Sequence, residues 1–291
     1  MSAATQAEPQ SAIRKPAGEF LRRFRRQRVA IVAALVILLI VLAAIFAPLI
    51  APYGPDAPDY DQILEGPNVL HWFGTDAYGR DVASRIIWGA RVSLSVGLLS
   101  VGLGAGFGIA IGLVSGFFGG LVDTVLMRLM DVLLAFPGLI LAIGVIALLG
   151  PNTTNAIIAI AVFSVPVFAR LVRGSTLSLK QTLYVQAARS IGVKAPLLML
   201  RHILPGAMPG VIVYSSLRLG TSILTLASLS FIGLGARPPS SEWGAMLSDG
   251  RSYLGVADHL TIFPGLAIFV IVLAFNLLGD GLSDALDQKY R

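Results

Sequence analysis

Apolar residues occur in long blocks separated by short polar stretches, and six blocks are long enough to cross the roughly 30 Å hydrocarbon core of a bilayer as helices. They cover about 29–50, 92–115, 124–149, 156–172, 211–234 and 260–278. An even number of crossings returns both termini to one side. Ala47 and Ala51 place small residues near the end of the first block, as at a cleavage site, but the block is too long for the apolar core of a signal peptide. An uncleaved anchor is therefore expected. Pro137 and Pro166 interrupt the third and fourth blocks. Each frees backbone carbonyls that protein or cavity water must satisfy, and such kinks serve plain architecture as readily as a solute path.

The polar stretches differ in charge. Arg14, Lys15, Arg22, Arg23, Arg25, Arg26 and Arg28 precede the first block, and Arg170, Arg173, Lys180, Arg189, Lys194 and Arg201 stand between residues 170 and 205 with no Asp or Glu among them. Residues 52–91 reverse the balance, with Asp56, Asp59, Asp61, Glu65, Asp76 and Asp81 against three arginines. Basic stretches stay on the cytoplasmic side. The reading is then a basic cytoplasmic segment over 1–28, a first span over 29–51, an external segment over 52–91, a membrane core over 92–282 that includes a cytoplasmic loop over 174–206, and a cytoplasmic tail over 283–291. The multi-pass chain is expected to have both termini in the cytosol. Residues 1–18 are expected to be disordered until the arginines meet anionic lipid. Residues 82–90 read as an amphipathic helix lying in the interface, with Trp72 and Trp88 at headgroup level.

Composition narrows the classes. Hydrophobic residues make up 55% of the 291 and charged residues 13%, with a mean hydropathy of +0.79. A soluble domain with a solvated face is excluded. The net charge of +6 comes from 22 Lys and Arg against 16 Asp and Glu, and the excess lies in the stretches assigned to the cytosol. No recognition fold follows the basic N-terminus, so nucleic acid is not expected as a partner. There is no cysteine, hence no disulfide framework or thiolate metal site. His71 and His259 read as interfacial or loop residues, without a second ligand at helical spacing, and no metal site is expected. Neither a G-x-x-x-x-G-K-[ST] loop nor the H-E-x-x-H and G-x-S-x-G patterns occur, so the chain has no P-loop of its own and no sign of hydrolase chemistry. An ion-coupled secondary transporter stays as the alternative, although paired repeats and acidic residues at mid-membrane are not seen.

Within the basic loop, residues 184–191 are helix-compatible, Gly192 reads as a stop, Pro196 suits the first turn of a second helix, and Pro205 is expected to end it. The two pieces would form a compact knob under the membrane, either a docking element or an ordinary hairpin joining two spans. Gly104, Gly108, Gly112, Gly116 and Gly120 recur every four residues and form a ridge of helix packing, against another span of this chain or a second subunit. Charges inside spans need a partner or water. Arg128 and Asp131, three apart, are expected to pair on one helix, whereas Arg218 has no acidic neighbour in its span and is expected to reach another helix or line a translocation cavity. Asp280, near the cytosolic boundary, is expected to be solvated.

The Gln186-Ala187-Ala188, Gly192 and His202-Ile203-Leu204-Pro205 spacing resembles the EAA loop of the membrane subunits of ATP-binding-cassette importers. Gln186 departs from that pattern, which has an acidic residue there, and His202 stands where an aliphatic residue is usual. His71-Trp72-Phe73-Gly74-Thr75-Asp76 followed by Gly79-Arg80-Asp81 resembles the external segment of peptide, glutathione and nickel permeases. Gly233-Leu234-Gly235-Ala236-Arg237-Pro238-Pro239, Glu242-Trp243-Gly244 and Gly279-Asp280-Gly281-Leu282 extend the likeness, and the blocks at 168–174 and 201–206 look most like the glutathione branch. The resemblance implies an all-α membrane protein of the type I importer permease fold in the inner membrane of a bacterium, with about six transmembrane helices and a cytoplasmic coupling hairpin. It implies a pore-forming, non-enzymatic subunit importing glutathione, dipeptides or oligopeptides, or else a nickel chelate. The implied partners are a second similar permease, two ATPase subunits that hold ATP and Mg, and an extracytoplasmic substrate-binding protein, while this chain holds no cofactor. Gln186, Ala187, Ala188, Gly192, His202, Leu204 and Pro205 would carry the coupling to the ATPase, and the substrate-contacting residues stay unassigned.

Overall fold

The computed structural model describes residues 22–25, 27–237 and 239–286. The readings that fall on residues 1–18, Arg26, Pro238 and 287–291 lie outside the described residues. The described residues are helical, with only two isolated bridges in the segment that follows the first helix. The long elements are α1 (Arg28–Ile45), α2 (Val82–Phe118), α3 (Gly120–Leu134), α4 (Gly138–Leu149), α5 (Thr153–Leu179), α6 (Leu183–Ser190), α7 (Leu204–Phe231), α8 (Trp243–Gly250) and α9 (His259–Leu286). Five helical stretches among the described residues are long and apolar enough to cross a membrane, and α3 with α4, bent by 93° at their junction, forms a broken sixth span or a re-entrant loop.

The apolar blocks expected to cross the membrane are thus helical, five of them as long spans and the third as the bent pair, but not as drawn from the sequence. Residues 82–90 are not a separate interfacial helix: Asp81 caps Ser84 N at 2.7 Å and α2 runs unbroken for 37 residues, about 55 Å at 1.5 Å per residue. It ends where Gly119 and Gly120 take positive φ of 67° and 55°. The crossing expected over 124–149 is broken at Pro137, which lacks the N–H that would continue α3. Pro166, by contrast, stays inside an uninterrupted α5, because α2 grips the turns on either side of it at Ser164 and Phe168. Proline sets the local cost, and packing decides whether the helix survives.

The α2–α5 contact is the most extensive in the molecule, and the glycines make it. A Cβ on Gly104 would lie 2.6 Å from Ser164 Cβ, on Gly112 2.5 Å from Ala169 O, and on Gly116 2.8 Å from Thr176 Cβ, while one on Gly108 would meet Phe168 Cβ. The ridge therefore packs within this chain. Gly120 is not part of it: the backbone has already turned, and its face is open. α7 lies against α2, α5 and α9, and α1 packs on α9, where Gln27 Nε2 bonds Asp284 at 3.0 Å and Gly281 accommodates Ala30. The start of α1 and the end of α9 therefore share one end of the bundle with the α6 hairpin. Residues 52–81 and α8 cap the opposite end.

That cap is tightly built. His71 is a loop residue, as read from the sequence, but it is 2% exposed, with Nδ1 2.9 Å from Asp81 and Nε2 3.6 Å from Asp59. Arg85 is buried as well, donating to Pro55 O at 3.0 Å and lying 3.6 Å from Asp76. His259 Nε2 meets Thr75 O at 3.1 Å, and Glu242 caps α8 through Gly244 N and Ala245 N, both at 2.9 Å. Of the acidic residues in this segment, Asp76 and Asp81 pair inward with Arg80 and His71, while Asp56, Asp61 and Glu65 stay exposed. Trp72 is exposed and Trp88 stacks under Arg91.

Candidate functional site

The hairpin between α5 and α7 begins where α5 ends at Lys180. Arg173 holds Asp123 of α3 through two bonds of 2.6 Å, and Lys180 Nζ donates to Gly116 O, the last rung of the glycine ridge, at 2.8 Å. Three of the six basic residues read as a loop cluster, Arg170, Arg173 and Lys180, are therefore struts on the helix end, and α5 itself extends to Leu179. Asp131 pairs with Arg170 across helices at 2.6 Å and not with Arg128, because α5 brings a guanidinium closer than the helical neighbour does. Arg128 is exposed.

α6 is amphipathic: Val185 and Ala188 are buried against Leu198 and Ile203, while Gln186 and Ala187 are exposed. Ala188 therefore packs the hairpin from within. Gln186 Nε2 donates to Gln181 O at 3.0 Å and Tyr184 Oη to His202 O at 3.1 Å, which tie the turn and the returning strand of helix together. Gly192 takes φ of 85°, a left-handed conformation that costs a side-chain-bearing residue about 1 kcal/mol or more. The second arm does not stop at Pro205. Residues Leu198–Ile203 form a π-helical turn that runs straight into α7, and Pro205 lies in the first turn of α7, where no N–H is needed, with Leu204 as the first residue. His202 is half-buried at that joint.

Sequence spacing missed the apolar tip. Leu183 and Ile191 are 85% and 82% exposed, at the two ends of α6, and Leu197 and Leu200 are exposed on the second arm. On a hairpin that also exposes Arg189, Lys194 and Arg201, this is an apolar patch with a basic rim. An apolar residue flanking a polar loop is weak as a sequence signal, so only the fold distinguishes a buried Val185 from an exposed Leu183.

In the bundle interior, Arg218 of α7 donates from Nε to Ser164 Oγ of α5 at 3.1 Å, and its guanidinium carbon lies 4.1 Å from the Phe163 ring centroid. No carboxylate lies within ion-pair distance of it among the described residues. Asp280 is exposed at the end of α9. At the capped end, Asp76, Tyr78, Arg80, Asp249, Arg251 and Tyr253 line a polar cavity of about 360 Å³. Half-burial there raises the Asp249 pKa above the usual carboxylate range, and the nearby Arg85 and Arg80 only partly offset the shift. No group of three or more His, Cys, Asp or Glu arranged to hold a metal occurs among the described residues.

Residues 108–291 match the binding-protein-dependent transport system inner membrane component, and residues 15–67 the N-terminal TM domain of oligopeptide transport permease C. The chain is 51% identical over 280 residues to the glutathione transport system permease protein GsiD of Pectobacterium atrosepticum, covering 96% of this chain and 93% of that one. It is 53% identical over 280 residues to the protein of the same name from Shigella sonnei, covering 96% and 92%. Among solved structures, an amino acid ABC transporter crystallised with histidines superposes with a TM-score of 0.52 at 20% identity, over 68% of this chain and 92% of that one. The MetNI methionine ABC transporter in inward-facing conformations gives 0.51 at 18%, over 68% and 95%.

Proposed function

Because the chain belongs to the inner membrane components of binding-protein-dependent transport systems, we propose that it forms half of the pore through which such a system imports glutathione or other short peptides. It is a multi-pass inner-membrane permease subunit and not itself an enzyme. The substrate reading rests on relatives more than 50% identical over nearly their whole length that are named for glutathione transport.

In this reading the α6 hairpin faces the cytosol and docks on an ATPase subunit, which binds ATP and Mg. The observation that carries it is the exposed apolar tip, with Leu183 and Ile191 projecting beside the exposed Ala187. An apolar surface at the end of a rigid, strutted hairpin is suited to a partner's groove. Movement of the ATPases would pass through the π-turn into α7 and through Lys180 into the end of α2, so that the bundle alternates between two states. The capped end would face the binding protein, and a second permease would complete the pore. Both termini would then be cytosolic.

The test is ATPase activity of the chain co-purified with its genomic neighbours in lipid, with binding protein that is empty, loaded with glutathione, or loaded with a dipeptide. Stimulation by one loaded form is expected and identifies the solute class. A chain that co-purifies with no ATPase and transports alone would instead support an ion-coupled carrier.

A further inference from the structure

α7 carries a polar stripe on one face, apart from the buried Ser216, Ser222 and Ser230 that it turns towards the rest of the chain. Arg218, Thr221, Thr225 and Ser228 succeed one another at intervals of three, four and three residues, which places them on one face. The opposite face is occupied: Gly220 lies against Val272 and Phe275 of α9, and Ile223 and Ala227 are buried in the core shared with α8 and α9. Thr221 is exposed and Thr225 and Ser228 are part-exposed, with the exposed Leu224 beside them, whereas Arg218, also part-exposed, turns its guanidinium onto Phe163 and Ser164 of α5. Each hydroxyl hydrogen is already committed to the helix backbone, Thr221 to Arg218 O at 3.0 Å, Thr225 to Thr221 O at 2.8 Å and Ser228 to Leu224 O at 2.9 Å. What the hydroxyls offer outward is lone pairs. Towards the capped end, Ser228 opens on a groove of about 320 Å³ lined also by Leu139 of α4 and Leu247 of α8.

A guanidinium at mid-span is always charged and needs an anion or water. Phe163 and Ser164 fix where Arg218 points but supply no negative charge. A braced cation without its counter-ion is the arrangement that recognises a carboxylate, and acceptor oxygens one and two turns along suit ammonium or amide N–H groups. We propose that this stripe holds a peptide-like solute in transit, Arg218 binding its carboxylate and Thr221 and Thr225 accepting from its N–H groups. The proposal rests on the importer reading above and adds the solute contacts that the reading lacks.

The absence of cysteine allows a direct test. Thr221→Cys or Thr225→Cys gives the chain a single thiol, which is exposed in the assembled transporter to anionic sulfonatoethyl or cationic trimethylammonium-ethyl methanethiosulfonate, with the modification read on this subunit. Both reagents are expected to react, the anionic one relatively faster. Arg218→Gln should lower the anion-to-cation rate ratio about tenfold and Arg218→Lys should retain it. S-methylglutathione as the free acid should protect the thiol and its diethyl ester should not. Lack of reaction at both positions would mean that the second permease or lipid seals the stripe, and an unchanged ratio in Arg218→Gln would show that Arg218 does not act on anions there. Either result overturns the proposal. The importer reading fails separately, through absence of ATP-dependent uptake of S-methylglutathione or a dipeptide by the unsubstituted transporter, and the charge preference is measurable in that case too.

Discussion

Asp249 illustrates how an individual residue here is governed by its surroundings. Its half-buried carboxyl has a pKa raised by burial, so the folded state favours the protonated form more than the unfolded state does. By linkage, the ionised carboxylate weighs against folding once the pH exceeds its unfolded value, and the whole of that burden is present above the raised folded value. Asp249→Asn is therefore expected to raise the thermal midpoint of the detergent-solubilised protein at pH 7. The gain should vanish as the pH falls below the ordinary carboxylate range, and a gain of equal size at both pH values would rule out titration as its cause. The same contrast separates residues that sequence spacing groups together: Ala187 and Ala188 are neighbours in one motif, yet the first faces solvent and the second fills the hairpin core.

Among the elements, α2 shows how much one helix face can decide. Its glycines at intervals of four let α5 approach to backbone contact, and the resulting van der Waals packing holds helices that no hydrophobic effect draws together within lipid. Gly108→Leu would place its side chain in Phe168 and the Val165 carbonyl, and should cost about 1–3 kcal/mol or prevent accumulation of folded protein. Gly106→Leu, two residues away on an open face, should be tolerated. Expression level and thermal unfolding of the two variants make the comparison, and equal damage would show that glycine matters here for some reason other than close packing. The ridge was legible in the sequence because a period of four needs no tertiary knowledge. Its end at Gly116 was not, because Gly120 continues the spacing of four while the backbone has already turned at Gly119.

For the whole molecule, the hairpin lies at one end of the bundle, and the struts Arg173 and Lys180 tie its base to α2 and α3. Ile191→Asp alters only an exposed side chain and should leave insertion and thermal midpoint unchanged. In the assembled transporter it should lower the ATPase stimulation by loaded binding protein about tenfold, the effect of placing a charge in an apolar contact. Unaltered stimulation, with the subunits still together, would remove the apolar tip from the docking argument.

The sequence by itself determined the membrane class, the apolar helical blocks, the glycine ridge and the position of the hairpin, since each follows from local composition or from a fixed spacing along one helix. Tertiary structure alone decided which proline bends its helix, which basic residues are struts, that Asp131 takes Arg170, that His71 and Arg85 are interior, and that Arg218 is braced by Phe163 and Ser164. The physical reason is common to all of these. Burial and charge pairing depend on which surface arrives from elsewhere in the chain, and the strength of packing between distant residues is not written in the residues on either side of a bend.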